Sequence, residues 1–384
     1  MYRVGMIQEC RHLLGQKEGR DGVFVTFSIS SFLSSFAGDF ISDQLIRWHK
    51  TSGRHNLPWQ NTDNPYLIWL SEIMLQQTQV STVLSYFEKF IKRFPNIDVL
   101  ANAEEESVLE LWSGLGYYAR ARNLHKTAIE ISKNYDGKFP SSFDTLLTLP
   151  GIGRSTAGAI SAFAFKKKKP ILDGNVKRVF TRYFGIMEWA GKPSVEKKLW
   201  EIASNNLPKT NKYIQTYTQA LMDLGATICK RSQPQCNNCP LQIKCISFKK
   251  NLTKDIPVSK PKKTLPTKEI YLLVLDSNDS YLFKKKPSKG IWAGLWSMPE
   301  LENFGNTPNW IKENLCEGNF KILKSGLHKT SFTHYKLNIH FQYISLDKIE
   351  LPKIDNYKWI EKNNLKNAAL PSPIKKIFKS LEGV

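Results

Sequence analysis

The chain has 384 residues, too many for one ordinary domain, and 41% are hydrophobic, which excludes a globally disordered protein. It carries 55 Lys and Arg against 34 Asp and Glu, a net charge of +21, and an excess of that size favours a polyanionic partner such as nucleic acid. No apolar run reaches the ~18–20 residues that a membrane span needs.

Residues 1–38 read as an extension without an assigned role. Val23 to Ala37 is Phe- and Ser-rich but lacks the basic lead of a signal core, with Arg20 and Asp21 just before it. From Ser42 to about Phe248 the pattern is helical, as in Val80, Val83, Leu84, Phe87 and Phe90. Breaks at Phe94-Pro95-Asn96, Gly114-Leu115-Gly116 and Leu149-Pro150-Gly151 divide this stretch into short helices. An all-α domain over 39–248 is therefore expected. Residues 249–268 are Lys-rich with Pro257, Pro261 and Pro266, a composition that gives an extended linker. Beyond it the period changes to two. Tyr335, Leu337, Ile339, Phe341 and Tyr343 alternate with Lys336, Asn338, His340 and Gln342, the mark of a half-buried strand. Strands are also expected at Ile270–Leu275 and Tyr281–Phe283, and a closing helix at Pro373–Leu381. Residues 269–384 thus form a smaller α+β domain.

Six cysteines are present, and four of them are spaced Cys229-x6-Cys236-x2-Cys239-x5-Cys245. Clustered thiolates in a large basic chain point to a metal site in a reducing compartment rather than to a disulfide framework. Both a 4Fe–4S cluster and structural zinc accept four cysteines. Zinc ribbons pair two short knuckles across a longer gap, whereas only one short knuckle exists here, so the spacing favours iron–sulfur. Lys230 and Arg231, in the loop between the first two ligands, can present cations to phosphate. Cys10 and Cys316 read as ordinary thiols.

This spacing resembles that of the endonuclease III and MutY branch of the helix-hairpin-helix DNA glycosylases. The likeness begins near Asp39 and reaches into the C-terminal domain. Leu149-Pro150-Gly151-Ile152-Gly153-Arg154-Ser155-Thr156-Ala157 resembles the family's hairpin. Gly151 and Gly153 let backbone approach a phosphate, and the next helix aims free amides at it. The resemblance adds a monovalent cation there. Lyase members of the family carry a Schiff-base lysine at the position of Ser155, so Ser155 implies hydrolysis without efficient strand cleavage. Lys166 to Lys169, which could substitute, read as a solvated turn.

Cleaving an N-glycosidic bond builds positive charge on the sugar and negative charge on the leaving base, so an acid and a carboxylate are both useful. Glu72 is the only charge in the apolar helical stretch from Tyr66 to Leu75, surroundings that raise a carboxyl pKa. Ser71 to Gln79 resembles the family's catalytic helix, which implies that Glu72 protonates adenine and later handles the water. Asp173, in Leu172-Asp173-Gly174-Asn175, reads as an N-cap by itself. The resemblance implies that it stabilises the sugar cation and that Asn175 orients these groups. By the same likeness Gln76 and Gln77 meet the opened stack, Tyr117 intercalates, and Gln219 contacts the flipped adenine. Gly290 to Glu300 resembles the start of a Nudix-like domain, but Leu301 to Leu315 lacks the glutamate-rich metal box, so a binding role is expected. Phe332-Thr333-His334 matches the family's lesion-reading Phe-Ser-His triplet with Thr in place of Ser.

The expected protein is a monomeric, monofunctional DNA glycosylase of the bacterial cytoplasm, acting on duplex DNA with adenine opposite 8-oxoguanine or guanine. Rival readings are a thymine-mismatch glycosylase, a bifunctional glycosylase/lyase, and a non-catalytic DNA-binding iron–sulfur protein.

Overall fold

The computed structural model describes residues 29–261, 264–277, 279–315, 319–347, 356–365 and 367–381. The expectations for residues 1–28, Cys10 and Cys316 lie outside these. The first part is helical: α1 (Ile29–Ser52), α2 (Pro65–Leu75), α3 (Val80–Arg93), α4 (Ile97–Ala101), α5 (Glu105–Leu111), α6 (Ala119–Asn134), α7 (Phe143–Thr148), α8 (Arg154–Phe163), α9 (Gly174–Tyr183), α10 (Pro193–Asn205), α11 (Ile214–Asp223) and α12 (Ile246–Lys249). Helix α1 runs across residue 39, where the sequence suggested a boundary. Caps set several starts. The Asn64 side chain accepts the Tyr66 amide beside Pro65 at the first turn of α2, and Asn96 accepts the Val99 amide at α4.

Two hydrophobic cores organise these helices. One gathers Trp69, Met74, Phe87, Phe90, Trp112, Leu124 and Ile131 from α2, α3 and α6 and their neighbours. The other gathers Ile41, Leu45, Val176, Phe180, Leu199, Tyr217 and Leu221 from α1, α9, α10 and α11. Helix α8 serves both, giving Ala157 and Ile160 to the first and Ala159 and Ala162 to the second. Opposite faces of one helix thus set the spacing between the cores.

The second part is an α+β domain around a seven-stranded sheet. Its strands are β1 (Thr267–Ser277), β2 (Ser280–Lys285), β3 (Trp296–Ser297), β4 (Glu300–Leu301), β5 (Phe320–Ser331), β6 (Lys336–Leu346) and β7 (Tyr357–Glu361). The main order is β3-β2-β1-β6-β5, with β4 on β1 and β7 on β2. Strands β1 and β6 pair in parallel from Thr267↔Lys336 to Asp276↔Ser345. Helix α14 (Ser372–Leu381) covers one face through Ile374, Ile377 and Phe378, meeting Leu337, Ile339 and Phe341. Helix α13 (Thr307–Asn314) covers the other through Ile311, meeting Leu273, Leu275 and Ile344. The alternation expected in β6 therefore holds from Leu337 to Phe341. It then gives way to burial of Ile344 and Leu346 against the second layer.

The two parts touch directly. Leu295 and Ala369 join the first helical core. Glu106 accepts from Lys285 Nζ at 2.6 Å and Trp296 Nε1 at 2.8 Å, and Arg122 donates to the Ala293 carbonyl at 2.7 Å.

Candidate active site

A cavity of about 1170 Å³ opens between the two helical cores. Glu72 enters it from α2 on one side, and Asp173 and Asn175 enter from the start of α9 on the other. Gln76, Ser155 and Gln219 also line it. The sequence thus brings its two candidate carboxylates from different cores to one space.

Their surroundings differ. Burial first, and the Asp173 charge second, push the Glu72 pKa up to about 8. Burial also raises the Asp173 pKa, but the amides of Val176 and Asn175 and the charges of Arg178 and Lys177 oppose it. Asp173 Oδ1 accepts the Val176 amide at 2.8 Å, so this residue is a helix cap as well as a cavity wall. Nothing comparable favours the Glu72 carboxylate, so the proton of the pair belongs on Glu72. Asn175 Oδ1 accepts from Arg178 Nη2 at 2.8 Å, and the same guanidinium donates to the carbonyls of Gly225 and Cys229.

The hairpin joins α7 to α8. Gly151 sits at φ +78°, where a Cβ would meet Asn123 at 2.8 Å. Gly153 precedes α8 with open space where its Cβ would lie, room that a phosphate can use. Ser155 Oγ accepts the Leu172 amide at 3.0 Å, tying the hairpin helix to the approach to Asp173. None of Lys166 to Lys169 lines the cavity; Lys166 pairs with Asp63 at 3.0 Å and Lys167 donates to Ser141.

Tyr117 is 54% exposed at φ +50°, whereas Tyr118 is half-buried and donates to the Leu370 carbonyl at 3.1 Å. One tyrosine therefore projects and its neighbour anchors. Gln77 is exposed at φ +56°, and Gln76 Nε2 reaches Thr156 Oγ1 at 3.4 Å. Sequence reasoning missed Arg120. Its buried guanidinium donates to the carbonyls of Ile73, Met74 and Gln76, and to those of Leu115 and Gly116. It thus joins the end of the Glu72 helix to the Tyr117 loop. Its position inside Gly114 to Arg122 was visible, but only the fold reveals its acceptors.

All four candidate ligands, Cys229, Cys236, Cys239 and Cys245, line one small cavity. Arg182 Nη1 lies 3.4 Å from Cys229 Sγ and donates to the Lys230 carbonyl at 2.6 Å. Among the described residues no three His, Cys, Asp or Glu side chains stand at single-ion spacing. Lys230 and Arg231 are exposed.

Phe332, Thr333 and His334 form the tip between β5 and β6, closed by a 2.8 Å bond from the Phe332 amide to the Tyr335 carbonyl. Thr333 and His334 are exposed. The Phe332 ring is half-buried, 5.1 Å from Tyr335, and packs on the core under α14.

Residues 70–205 match the HhH-GPD superfamily of base excision DNA repair proteins, and residues 270–380 match a NUDIX domain. An adenine DNA glycosylase of Buchnera aphidicola subsp. Baizongia pistaciae is 41% identical, covering 88% of this chain and 95% of its own. The chain belongs to the adenine DNA glycosylase family. The Mus musculus adenine DNA glycosylase is 29% identical over 88% of this chain and 77% of its own. Among solved structures, a thermostable thymine-DNA glycosylase is 27% identical with a TM-score of 0.50. It covers 58% of this chain and 99% of its own. The expected fold, a helix-hairpin-helix glycosylase domain followed by a Nudix-like α+β domain, is the one observed. Among the described residues no helix is long and apolar enough to cross a membrane.

Proposed function

We propose that this enzyme hydrolyses the N-glycosidic bond of adenine mispaired with 8-oxoguanine or guanine in duplex DNA, leaving an abasic site. The observation that carries the reading is the cavity with Glu72 and Asp173 on facing walls, the first held protonated near neutral pH and the second supplied with amides and cations. Glu72 donates its proton to the departing base. The Asp173 carboxylate stabilises the sugar cation, Asn175 helps to fix the site, and Glu72, now ionised, deprotonates the attacking water. Ser155 supplies no amine for a Schiff base, which favours hydrolysis over lyase chemistry.

DNA contacts follow from exposure and position. The Gly151 and Gly153 backbone amides grip phosphate with Ser155 nearby, and carbonyl oxygens of the hairpin would hold a monovalent cation beside it. Tyr117 fills the gap left by the flipped base, flanked by Gln76 and Gln77, while Gln219 meets adenine. Lys230 and Arg231 add phosphate contacts. Thr333 and His334, with Phe332 behind them, read the oxidised base. The domains proposed are 39–248 for excision and 269–384 for lesion reading, joined through 249–268, whose first residue closes α12 and whose last two already pair in β1.

The convergence of four cysteines on one cavity with Arg182 against it fits a 4Fe–4S cluster, whose thiolate-rich charge a guanidinium offsets. Bound there, the cluster would supply a rigid cross-link for the loop that carries Lys230 and Arg231. The deciding assay offers the purified protein duplexes with adenine or thymine opposite guanine or 8-oxoguanine, with and without alkali. Adenine release with strand breakage only after alkali supports the reading; thymine release or breakage without alkali overturns it.

A further inference from the structure

Behind the cavity wall formed by His49, Arg54 and Gln219 stands a buried carboxylate that bond cleavage does not use. Asp223, the last residue of α11, has no exposed surface. Its Oδ1 accepts from Arg54 Nε at 2.9 Å and Nη2 at 2.6 Å, and its Oδ2 accepts the Arg54 amide at 2.8 Å. His49 Nε2 stands 3.4 Å from Oδ2. Burial pushes the Asp223 pKa up, but His49 and Arg54 outweigh it and hold the group below the usual carboxylate range.

An ionised carboxylate can only accept hydrogen bonds. One turn earlier on α11, Gln219 Nε2 donates to Asp223 Oδ1 at 2.9 Å. The donor end of this amide must therefore face Asp223. The carbonyl end is left for the cavity that Gln219 lines, and no protein donor reaches it among the described residues. Without Asp223 the amide could turn over, since its two ends have nearly the same shape.

We propose that Asp223 is a positioning residue for base selection, locking Gln219 so that the cavity presents an acceptor to the exocyclic amine of adenine. A base with a carbonyl at that place, such as guanine or hypoxanthine, would bring lone pair against lone pair. The inference rests on the reading that the flipped adenine enters this cavity. It adds the source of the discrimination.

The test compares single-turnover excision of adenine and of hypoxanthine placed opposite 8-oxoguanine, using the full-length holoenzyme. Wild type should strongly favour adenine. Gln219→Leu should lower the adenine-to-hypoxanthine ratio roughly ten- to a hundredfold, the scale of one buried hydrogen bond lost against one repulsion removed. Asp223→Asn should lower it comparably, because the new amide accepts either end of Gln219. Equal slowing on both bases, with the ratio unchanged, would mean that Asp223 only supports the fold and would overturn the proposal. Should Asp223→Asn fail to fold, Gln219→Glu decides. A carboxyl beside Asp223 must share a proton with it and so again turns a carbonyl to the cavity. Its ratio should stay near wild type; a ratio as low as that of Gln219→Leu would overturn the proposal. Wild type that released no adenine would sink the functional reading instead.

Discussion

The Asp173 carboxylate raises the proton affinity of Glu72 across the cleft, although the two residues are rooted in different hydrophobic cores. Closing the cleft by a relative shift of the cores therefore changes acid strength as well as shape.

Glu72→Gln keeps the size and removes the proton. Excision should fall by about 10²–10⁴-fold, the usual worth of general acid help, while duplex binding persists. Near-normal single-turnover excision would show that Glu72 is not the acid. The wild-type rate should decline as pH rises through about 8, where Glu72 loses its proton.

The same substitution should raise stability. The folded pKa of Glu72 lies above its unfolded value near 4.5. Between the two values the unfolded chain binds fewer protons than the folded one, so stability falls as pH rises through that window. Gln escapes this loss. At pH 8 the variant should melt higher than wild type, with the difference vanishing near pH 4; thermal melts at both values check it.

Arg120→Lys should be costly. A single ammonium cannot satisfy carbonyls on both α2 and the Tyr117 loop, and acceptors left buried cost roughly 2–4 kcal/mol together. Denaturant unfolding measures the loss. An unchanged midpoint would mean that water replaces the guanidinium.

Thr333→Ala combined with His334→Ala should weaken binding to adenine opposite 8-oxoguanine by about one or two hydrogen bonds, on the order of 1–3 kcal/mol. Binding to adenine opposite guanine should change less. Equal losses on both duplexes would assign the triplet to backbone grip.

The purified protein should be brown, with about four irons per chain, as four converging thiolates imply. Metal analysis that found one zinc and full activity would reverse that assignment.

Much of this was legible in the sequence where the signal is local. Glu72 stands alone among apolar residues, the cysteines are close together, and β6 alternates over its first half. What escaped depends on distant partners. The parallel pairing of β1 with β6 joins residues far apart in the chain, and no local pattern encodes it. Strand β5 exposes most of its side chains, including Lys321, Lys324 and Lys329, so it lacks the alternation of a half-buried strand. Asp223 carries the same signal as Glu72, a lone acid among Ala220, Leu221, Met222 and Leu224. Its partner Arg54 lies 169 residues earlier, and only the fold brings them together.

Leu295 and Ala369 belong by chain position to the domain assigned to lesion reading, yet their side chains finish the core that supports Glu72. Inheritance by sequence segment and inheritance by packing therefore disagree at these two places. A small-to-large or large-to-small change at either would look, on a map of the chain, like a defect in recognising the damaged base. Its first effect would be felt by adenine in every duplex alike.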